Sequence, residues 1–322
     1  MQIRGIVAIV LAFGLAAHGY RKRSLNKSGA AAAVLVGFIS FSVSYRMGII
    51  LIVFYYTGSR MTKVRSHIKR KLEFNYREAG QRNMLQVFSN SALATFVAAI
   101  FFLVIGEDNS TQHVRFLQID TSLHQLSVAM SHNMNEHLRH SLASYLWTMY
   151  IAHYACANGD TWASELGILS KSNPRLITSL FLKKVPRGTN GGVSWEGTLA
   201  SALGGALIGF TYFICSILMD LSLNKGGIEQ YPMILAGLCS GLVGSIVDSL
   251  LGATLQATYF DAINNQIIKT EDLDSSKRAS GSVKLIQGVD ILSNEAVNFF
   301  SIAITMILSC LYTPAIFKMM HT

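Results

Sequence analysis

The sequence predicts an all-α fold, a polytopic transmembrane bundle of about eight helices that forms a single domain over residues 1–322. Hydrophobic residues make up 51% of the chain and charged residues only 14%, and the mean hydropathy is +0.37. This composition is typical of an integral membrane protein rather than a soluble domain. Eight apolar runs approach the roughly 20 residues that a helix needs to cross a bilayer, at about 3–20, 29–45, 47–58, 85–105, 141–157, 195–219, 232–255 and 297–316.

The distribution of Lys and Arg predicts the orientation of the bundle, because cytoplasmic loops collect basic residues. With a non-cytosolic N-terminus, the cytosolic segments 21–28, 59–83, 158–193 and 256–296 contain 21 of the 27 basic residues. The main non-cytosolic loop is then 106–140. The net charge of +9 follows from this orientation and favours anionic ligands or lipid headgroups, so we expect no nucleic-acid partner. We expect the protein in the endoplasmic reticulum or another intracellular membrane, and the oligomeric state stays open.

The stretch Asn158 to Gly167 places two carboxylates beside an apolar run on the predicted cytosolic side. They belong to Asp160 and Glu165. An Asp with nothing to neutralise it at a membrane boundary is costly, so a divalent cation is the natural partner.

The stretch Pro186 to Ser194 is rich in glycine and runs directly into the next apolar segment. Its glycines allow backbone N–H groups to turn toward an anion. Ser194 is placed to cap the following helix, whose N-terminus adds positive potential. The two stretches together predict a site for a metal ion and phosphate. The alternative is that both are only surface loops between spans.

Asp248 lies inside the seventh apolar run, three residues after Ser245 and four before Gly252. This spacing places it on a small-residue face that packs against other helices. A carboxylate inside the membrane predicts a functional site, and an interhelical hydrogen bond is the alternative.

Two further polar groups of residues enter the membrane from the same side. Asp290, Asn294 and Asn298 recur every four residues and predict one helical face that ligates a cation or begins a helix with satisfied polar groups. A similar stripe, Arg82, Gln86 and Asn90, predicts a cavity or interhelical hydrogen bonds.

Arg60 and Lys63 lie where a predicted span meets water, so they could reach a phosphate. The alternative is that both belong to a solvated basic loop.

All the candidate groups described so far open toward the predicted cytosolic side. Carboxylates, cations and amides on one side of a bundle suit a nucleoside triphosphate and a phosphate acceptor dissolved in the membrane.

Five motifs resemble the transmembrane protein 19 family and its plant relative, the chloroplast phytyl-phosphate kinase. They are Gly58-Ser59-Arg60-Met61-Thr62-Lys63, Gly80-Gln81-Arg82-Asn83, Asn158-Gly159-Asp160-Thr161-Trp162-Ala163-Ser164-Glu165, Gly188-Thr189-Asn190-Gly191-Gly192-Val193-Ser194, and Gly244-Ser245 with Asp248-Ser249-Leu250-Leu251-Gly252. The resemblance implies a kinase that converts an isoprenyl monophosphate to the diphosphate. More distantly, Asp160 and Glu196-Gly197 are similar to positions in CTP-dependent polyprenol and dolichol kinases. The lysine that those enzymes have before the Ser is absent here.

The resemblance implies Mg²⁺ as cofactor, CTP as the favoured phosphoryl donor and ATP as the alternative. Under this hypothesis the metal ligands are Asp160, Asp290, Glu165 and Asn294. The donor triphosphate is bound by Arg187, Gly188, Thr189, Asn190, Gly191, Gly192 and Ser194. The acceptor phosphate is held by Arg82, Lys63, Asn158 and Arg60, with the isoprenoid chain between spans. Asp248 then holds a second metal ion or orients the first.

Three other classes of function are compatible with the pattern. A transporter or flippase for a lipid phosphate would need a polar path that continues to the far side of the membrane. A cytidylyltransferase-type enzyme would share the metal site and release pyrophosphate. A scaffold would keep the fold without catalysis.

Overall fold

The computed structural model describes residues 2–74, 81–106, 136–180, 183–219, 227–273 and 282–321. Its α-helices in chain order are α1 (Gln2–Arg21), α2 (Lys27–Val43), α3 (Tyr45–Met61), α4 (Ser66–Leu72), α5 (Met84–Ser89), α6 (Ala92–Ile105), α7 (Glu136–Gly167), α8 (Trp195–Met219), α9 (Pro232–Leu255) and α10 (Asn294–Met320). Two 3₁₀ turns cover Ile228–Gln230 and Thr270–Asp272. The chain is mostly helical, as predicted.

Three helical segments are long and apolar enough to cross a membrane within the described residues. They are Trp195–Met219, Ile228–Leu255 and Asn294–Met320, and α2 and α6 are shorter apolar helices. The figure of about eight spans therefore stays a prediction. Most of the predicted non-cytosolic loop 106–140 lies outside the described residues.

Helix boundaries correct the prediction at two places. The predicted span 85–105 is broken into α5 and α6, because the chain turns at Asn90 and Ser91. His153 Nε2 lies 2.9 Å from the carbonyl oxygen of Asn90 at this break. The predicted loop beginning at 158 is wrong for its first ten residues, since α7 continues to Gly167 and carries Asp160 on its last turns.

Two small antiparallel sheets correct the all-α prediction. Strands β1 (Arg175–Leu176) and β2 (Gly192–Val193) pair with each other. Strands β3 (Thr258–Asp261), β4 (Gln266–Lys269) and β5 (Val283–Gln287) form a second sheet in the order β4-β3-β5. Residues 274–281, between β4 and β5, lie outside the described residues.

Helices α7, α8 and α9 pack through glycines at the centre of the bundle. A Cβ atom on Gly205 would lie 2.3 Å from the carbonyl oxygen of Gly237, and one on Gly159 would lie 2.8 Å from the Cα of Gly241. Backbones therefore touch across both interfaces, as the small-residue pattern predicted. This contact fixes how the last turns of α7 and α9 sit relative to each other, and those turns carry Asp160 and Asp248.

Candidate functional site

A cavity of about 1220 Å³ lies where α7 and α9 end and α8 and α10 begin. Its lining includes Arg82, Asp160, Glu165, Asp248 and the glycine turn Gly188–Gly192. The structure therefore brings together residues that are up to about half the chain apart in sequence.

Asp160 and Asp248 reach the cavity from neighbouring helices and are close enough for their charges to interact. Ser301 Oγ donates to Asp248 at 3.3 Å. With the amide of Asn298 oriented toward the same carboxylate, its nitrogen donates at 3.2 Å. The Asp160 carboxylate accepts no hydrogen bond from the part of the chain that the structure describes. Two neighbouring carboxylates with so few donors can ionise together only beside a positive charge, so the pair favours a bound cation.

Arg82 lines the cavity from the turn before α5, and its backbone anchors that turn. Arg82 N donates to Ser24 O at 3.0 Å, and Asn26 N donates to Arg82 O at 3.1 Å. The guanidinium hydrogen bonds to no acceptor among the described residues. Burial lowers the pKa of Arg82, while Tyr55 and Glu165 oppose that shift. An unpaired, half-buried guanidinium favours an anionic ligand.

Glu165 forms an ion pair with Lys69, which the sequence analysis did not single out. Lys69 is only 1% exposed, and its Nζ also donates to the carbonyl oxygens of Met61 at 2.9 Å and Thr62 at 3.3 Å. These bonds satisfy the C-terminal end of α3. Glu165 lines the cavity, but its charge is already balanced by a lysine. Lys69 lies in a basic run, and no local signal separates it from its solvated neighbours.

The glycine turn owes its shape to positive φ angles and close packing on α9. Gly188 and Gly191 have φ of +89° and +75°, a conformation that L side chains rarely adopt. A Cβ on Gly191 would lie 2.3 Å from Ala253 Cβ and 2.8 Å from Ser249 O. Glycine is therefore required here for fit against the helix as well as for the turn.

Three amides of this turn are bonded within the protein instead of pointing at an open anion site. Thr189 N donates to Pro186 O at 3.3 Å, and Gly192 N donates to Thr189 O at 3.0 Å. Asn190 N donates to Thr258 Oγ1 at 3.2 Å, which joins the turn to strand β3. A tight turn satisfies its own donors in this way because orphaned buried amides are costly. The prediction that backbone N–H groups of this turn bind phosphate is therefore wrong for Thr189, Asn190 and Gly192.

Ser194 caps α8, as the sequence predicted. Gly197 N donates to Ser194 Oγ at 3.2 Å. Trp195, Gly197 and Thr198 line the cavity, so the N-terminal turn of α8 faces it. The positive end of the helix dipole therefore lies at the cavity wall.

Asn294 and Asn298 line the cavity, whereas Asp290 does not. The predicted common helical face is wrong for Asp290, because α10 begins only at Asn294 and Ser293 caps it through Ala296 N at 3.3 Å. Asp290 lies in the preceding turn and is exposed.

Four predicted phosphate ligands lie outside the cavity lining. Lys63 is exposed, and Arg60 stacks on Tyr56 with its Cζ 4.9 Å from the ring centroid. Arg187 Nη2 donates to Lys171 O at 2.6 Å. Asn158 is fully buried and its Nδ2 donates to Gly204 O at 2.8 Å, so it joins α7 to α8.

The donor set fits a magnesium ion completed by substrate oxygens. The lining contains the carboxylates Glu73, Asp160, Glu165, Asp248, Asp272 and Glu295 and the cations Lys69, Arg82 and Arg175. No group of three or more His, Cys, Asp or Glu side chains within the described ranges forms an all-protein metal cage. Mg²⁺ is usually held by one or two carboxylates together with phosphate oxygens and water. Asp160 and Asp248 match that requirement.

Comparisons with known proteins show relatives along nearly the whole chain. A family model described as "Integral membrane protein DUF92" matches residues 10–306. The chain is 35% identical over 316 residues to Protein PGR of Arabidopsis thaliana, covering 98% of each. It is 24% identical over 246 residues to "Protein VTE6, chloroplastic" of the same plant, covering 76% of this chain and 60% of that protein. No solved structure matches the chain.

Proposed function

We propose that this chain, which belongs to the DUF92 family of integral membrane proteins, is a membrane-bound phosphotransferase acting on an isoprenyl monophosphate. The observation that carries the proposal is the shared cavity of Asp160, Asp248 and Arg82. It joins a carboxylate pair suited to Mg²⁺ with a guanidinium that has no hydrogen-bond acceptor within the described residues. The resemblance to the transmembrane protein 19 family supports the same chemistry.

The reaction transfers the terminal phosphoryl group of a nucleoside triphosphate to a phosphate oxygen of the acceptor. The bond between that phosphorus and the bridging oxygen of the donor breaks, a new phosphorus–oxygen bond forms, and a nucleoside diphosphate leaves. The acceptor oxygen is already ionised, so no strong base is needed and catalysis rests on positioning and charge neutralisation. Bound Mg²⁺ would supply neutralising charge to the donor phosphates.

The acidic and basic residues of the cavity would have different roles in positioning and charge neutralisation. Asp160 and Asp248 would hold the metal ion, with Asn294 as a further oxygen donor. Arg82 would hold the acceptor phosphate, because its planar guanidinium suits two oxygens at once. We propose CTP as donor from the likeness to polyprenol kinases, with ATP as the alternative. The intracellular membrane and the non-cytosolic N-terminus remain predictions.

The test is a kinase assay on purified protein in detergent with Mg²⁺, labelled CTP or ATP, and phytyl, geranylgeranyl or farnesyl monophosphate. We expect diphosphate product, and we expect Asp160→Asn to lower kcat by at least about a hundredfold, the order of effect of removing a key transition-state charge. Asp290→Asn is the matched control, because Asp290 is exposed and outside the cavity. It should keep activity within about twofold of wild type.

Other products separate the alternative functions. Pyrophosphate release with a cytidylyl lipid as product would identify a cytidylyltransferase-type enzyme. Folded protein that yields no product with any donor and acceptor would overturn the kinase proposal and leave the transporter or scaffold.

A further inference from the structure

A slot between α8 and α9 extends the cavity toward the outer surface of the bundle. The two helices touch through their backbones at Ser201 and Gly241, where a Cβ on Gly241 would lie 2.4 Å from Ser201 O. Beyond this contact both helices contribute to the lining of the cavity, through Trp195, Thr198, Leu242, Ser245 and Ile246. On this side of the Ser201–Gly241 contact, the cavity therefore reaches between the two helices.

The mouth of this slot lies on a side of the bundle that faces outward. Ile246 is five residues after Gly241, about 140° around the helix from the contact with α8. It lines the cavity and is 47% exposed. Leu199 on α8 extends an exposed apolar rim beside it. Because both helices belong to segments long and apolar enough to cross a membrane, this rim meets lipid.

The wall of the cavity that α5 and α10 form is unsuited to hydrocarbon. The wall formed by α5 and α10 is polar, with the lining residues Gln86, Asn90, Asn294, Glu295 and Asn298. Burying an alkyl chain against such groups would remove their hydrogen bonds to water without replacement. Within the described helical part of the lining, the aliphatic side chains larger than alanine are Leu242 and Ile246, both on the α9 side of the slot.

We propose that the α8–α9 slot holds the hydrocarbon chain of the acceptor, a lipid phosphate, and leads it out into the bilayer while its phosphate group lies in the cavity. This inference rests on the proposed function. The chain packs on Leu242 and Ile246 and passes the exposed rim into lipid, so the headgroup reaches Arg82 and Asp160 while much of the chain stays out of water. The slot is bounded on one side by the Gly241 contact and on the other by the Gly191 turn packed on Ala253.

The test narrows the mouth of the slot with Ile246→Trp. The matched control is Leu250→Trp, one turn further along the same exposed face and outside the cavity lining. Kinase kinetics would be measured with dimethylallyl, geranyl, farnesyl and geranylgeranyl monophosphates. We expect Ile246→Trp to lower the ratio of kcat/KM for geranylgeranyl over dimethylallyl phosphate about tenfold, the effect of losing burial of about two methylenes. Leu250→Trp should leave this ratio within about twofold. An equal loss of kcat/KM for all acceptors, or the same ratio in both variants, would overturn the proposal that the slot binds the hydrocarbon chain.

A second measurement does not depend on catalysis. A geranylgeranyl phosphate analogue with a photoreactive diazirine at the chain end would be crosslinked to the protein in lipid nanodiscs, and the labelled peptides identified. We expect labelling near the slot, at 195–203 and 242–250, that geranylgeranyl phosphate competes away and Ile246→Trp weakens. Labelling spread evenly over lipid-facing helices without competition would refute the slot even if kinase activity is present. Specific labelling without kinase activity would support chain binding in the slot and refute the proposed phosphoryl transfer.

Discussion

Buried charges decide the chemistry of this molecule at the scale of single residues. Lys69 and Arg82 both line the cavity, and they differ in what surrounds them. Lys69 is bonded to Glu165 and to two carbonyl oxygens, so its charge serves the fold. The Arg82 guanidinium has no acceptor within the described part of the chain, so its charge is available to a ligand.

The substitution Arg82→Lys should therefore impair function without unfolding the protein. Lysine keeps the charge but loses the planar, bidentate geometry that suits phosphate. We expect kcat/KM for the prenyl monophosphate to fall about ten- to a hundredfold, as for the loss of one charged hydrogen bond. Arg60→Lys is the control, because Arg60 is stacked on Tyr56 outside the cavity. Equal kcat/KM values for Arg82→Lys and Arg60→Lys would contradict the proposed role of Arg82 in binding the acceptor phosphate.

Glycine contacts decide the geometry at the scale of helices. The seam between α8 and α9 brings Gly205 against Gly237, and Gly209 against the backbone of Met233. These contacts hold the helices together on one side of Gly241, and on the other side both helices line the slot. The same small-residue packing that joins the two helices thus bounds the slot on one side.

The substitution Gly205→Ala tests this seam. Its Cβ would lie 2.3 Å from the carbonyl oxygen of Gly237, and backbone cannot yield as a flexible side chain does. We expect a loss of about 1–3 kcal/mol in stability, the usual cost of overpacking, seen as a lower melting midpoint in detergent by size-exclusion chromatography. Gly14→Ala in α1 is the control, since nothing lies within 4 Å of its Cβ. A midpoint for Gly205→Ala as high as that of Gly14→Ala would contradict the seam.

Orientation in the membrane is a property of the whole molecule. The β3–β5 sheet precedes the N-terminal end of α10, and His321 follows its other end. The 27 residues of α10 extend about 40 Å, enough to cross a hydrocarbon core of about 30 Å. The two ends should therefore lie on opposite sides of the membrane.

Cysteine accessibility checks the predicted cytosolic side of the sheet. Lys284→Cys should react with a membrane-impermeant maleimide once the plasma membrane alone is permeabilised. His321→Cys should react only after all membranes are dissolved, with wild type as the background from its native cysteines. The reverse pattern would invert the predicted orientation, and labelling of both from one side would contradict a membrane-crossing α10.

The sequence by itself determined the class of protein, several helices and part of the cavity. Long apolar runs need no tertiary information to be recognised, because backbone groups in a bilayer must be satisfied within the segment. The small-residue spacing around Asp248 predicted an inward-facing carboxylate, and its bond from Ser301 confirms this. The cap at Ser194 was equally local, since a hydroxyl before a helix satisfies an amide a few residues on.

Only the tertiary structure decided which charges share the cavity. Lys69, Lys63 and Arg60 belong to one basic stretch and look alike in sequence, yet only Lys69 is buried and paired. Asp290 keeps the helical spacing of Asn294 and Asn298 but falls before the start of α10. Three amides of the glycine turn are bonded to Pro186, Thr189 and Thr258. Burial and pairing depend on contacts between segments far apart in the chain. The spacing of residues within one segment therefore cannot predict them.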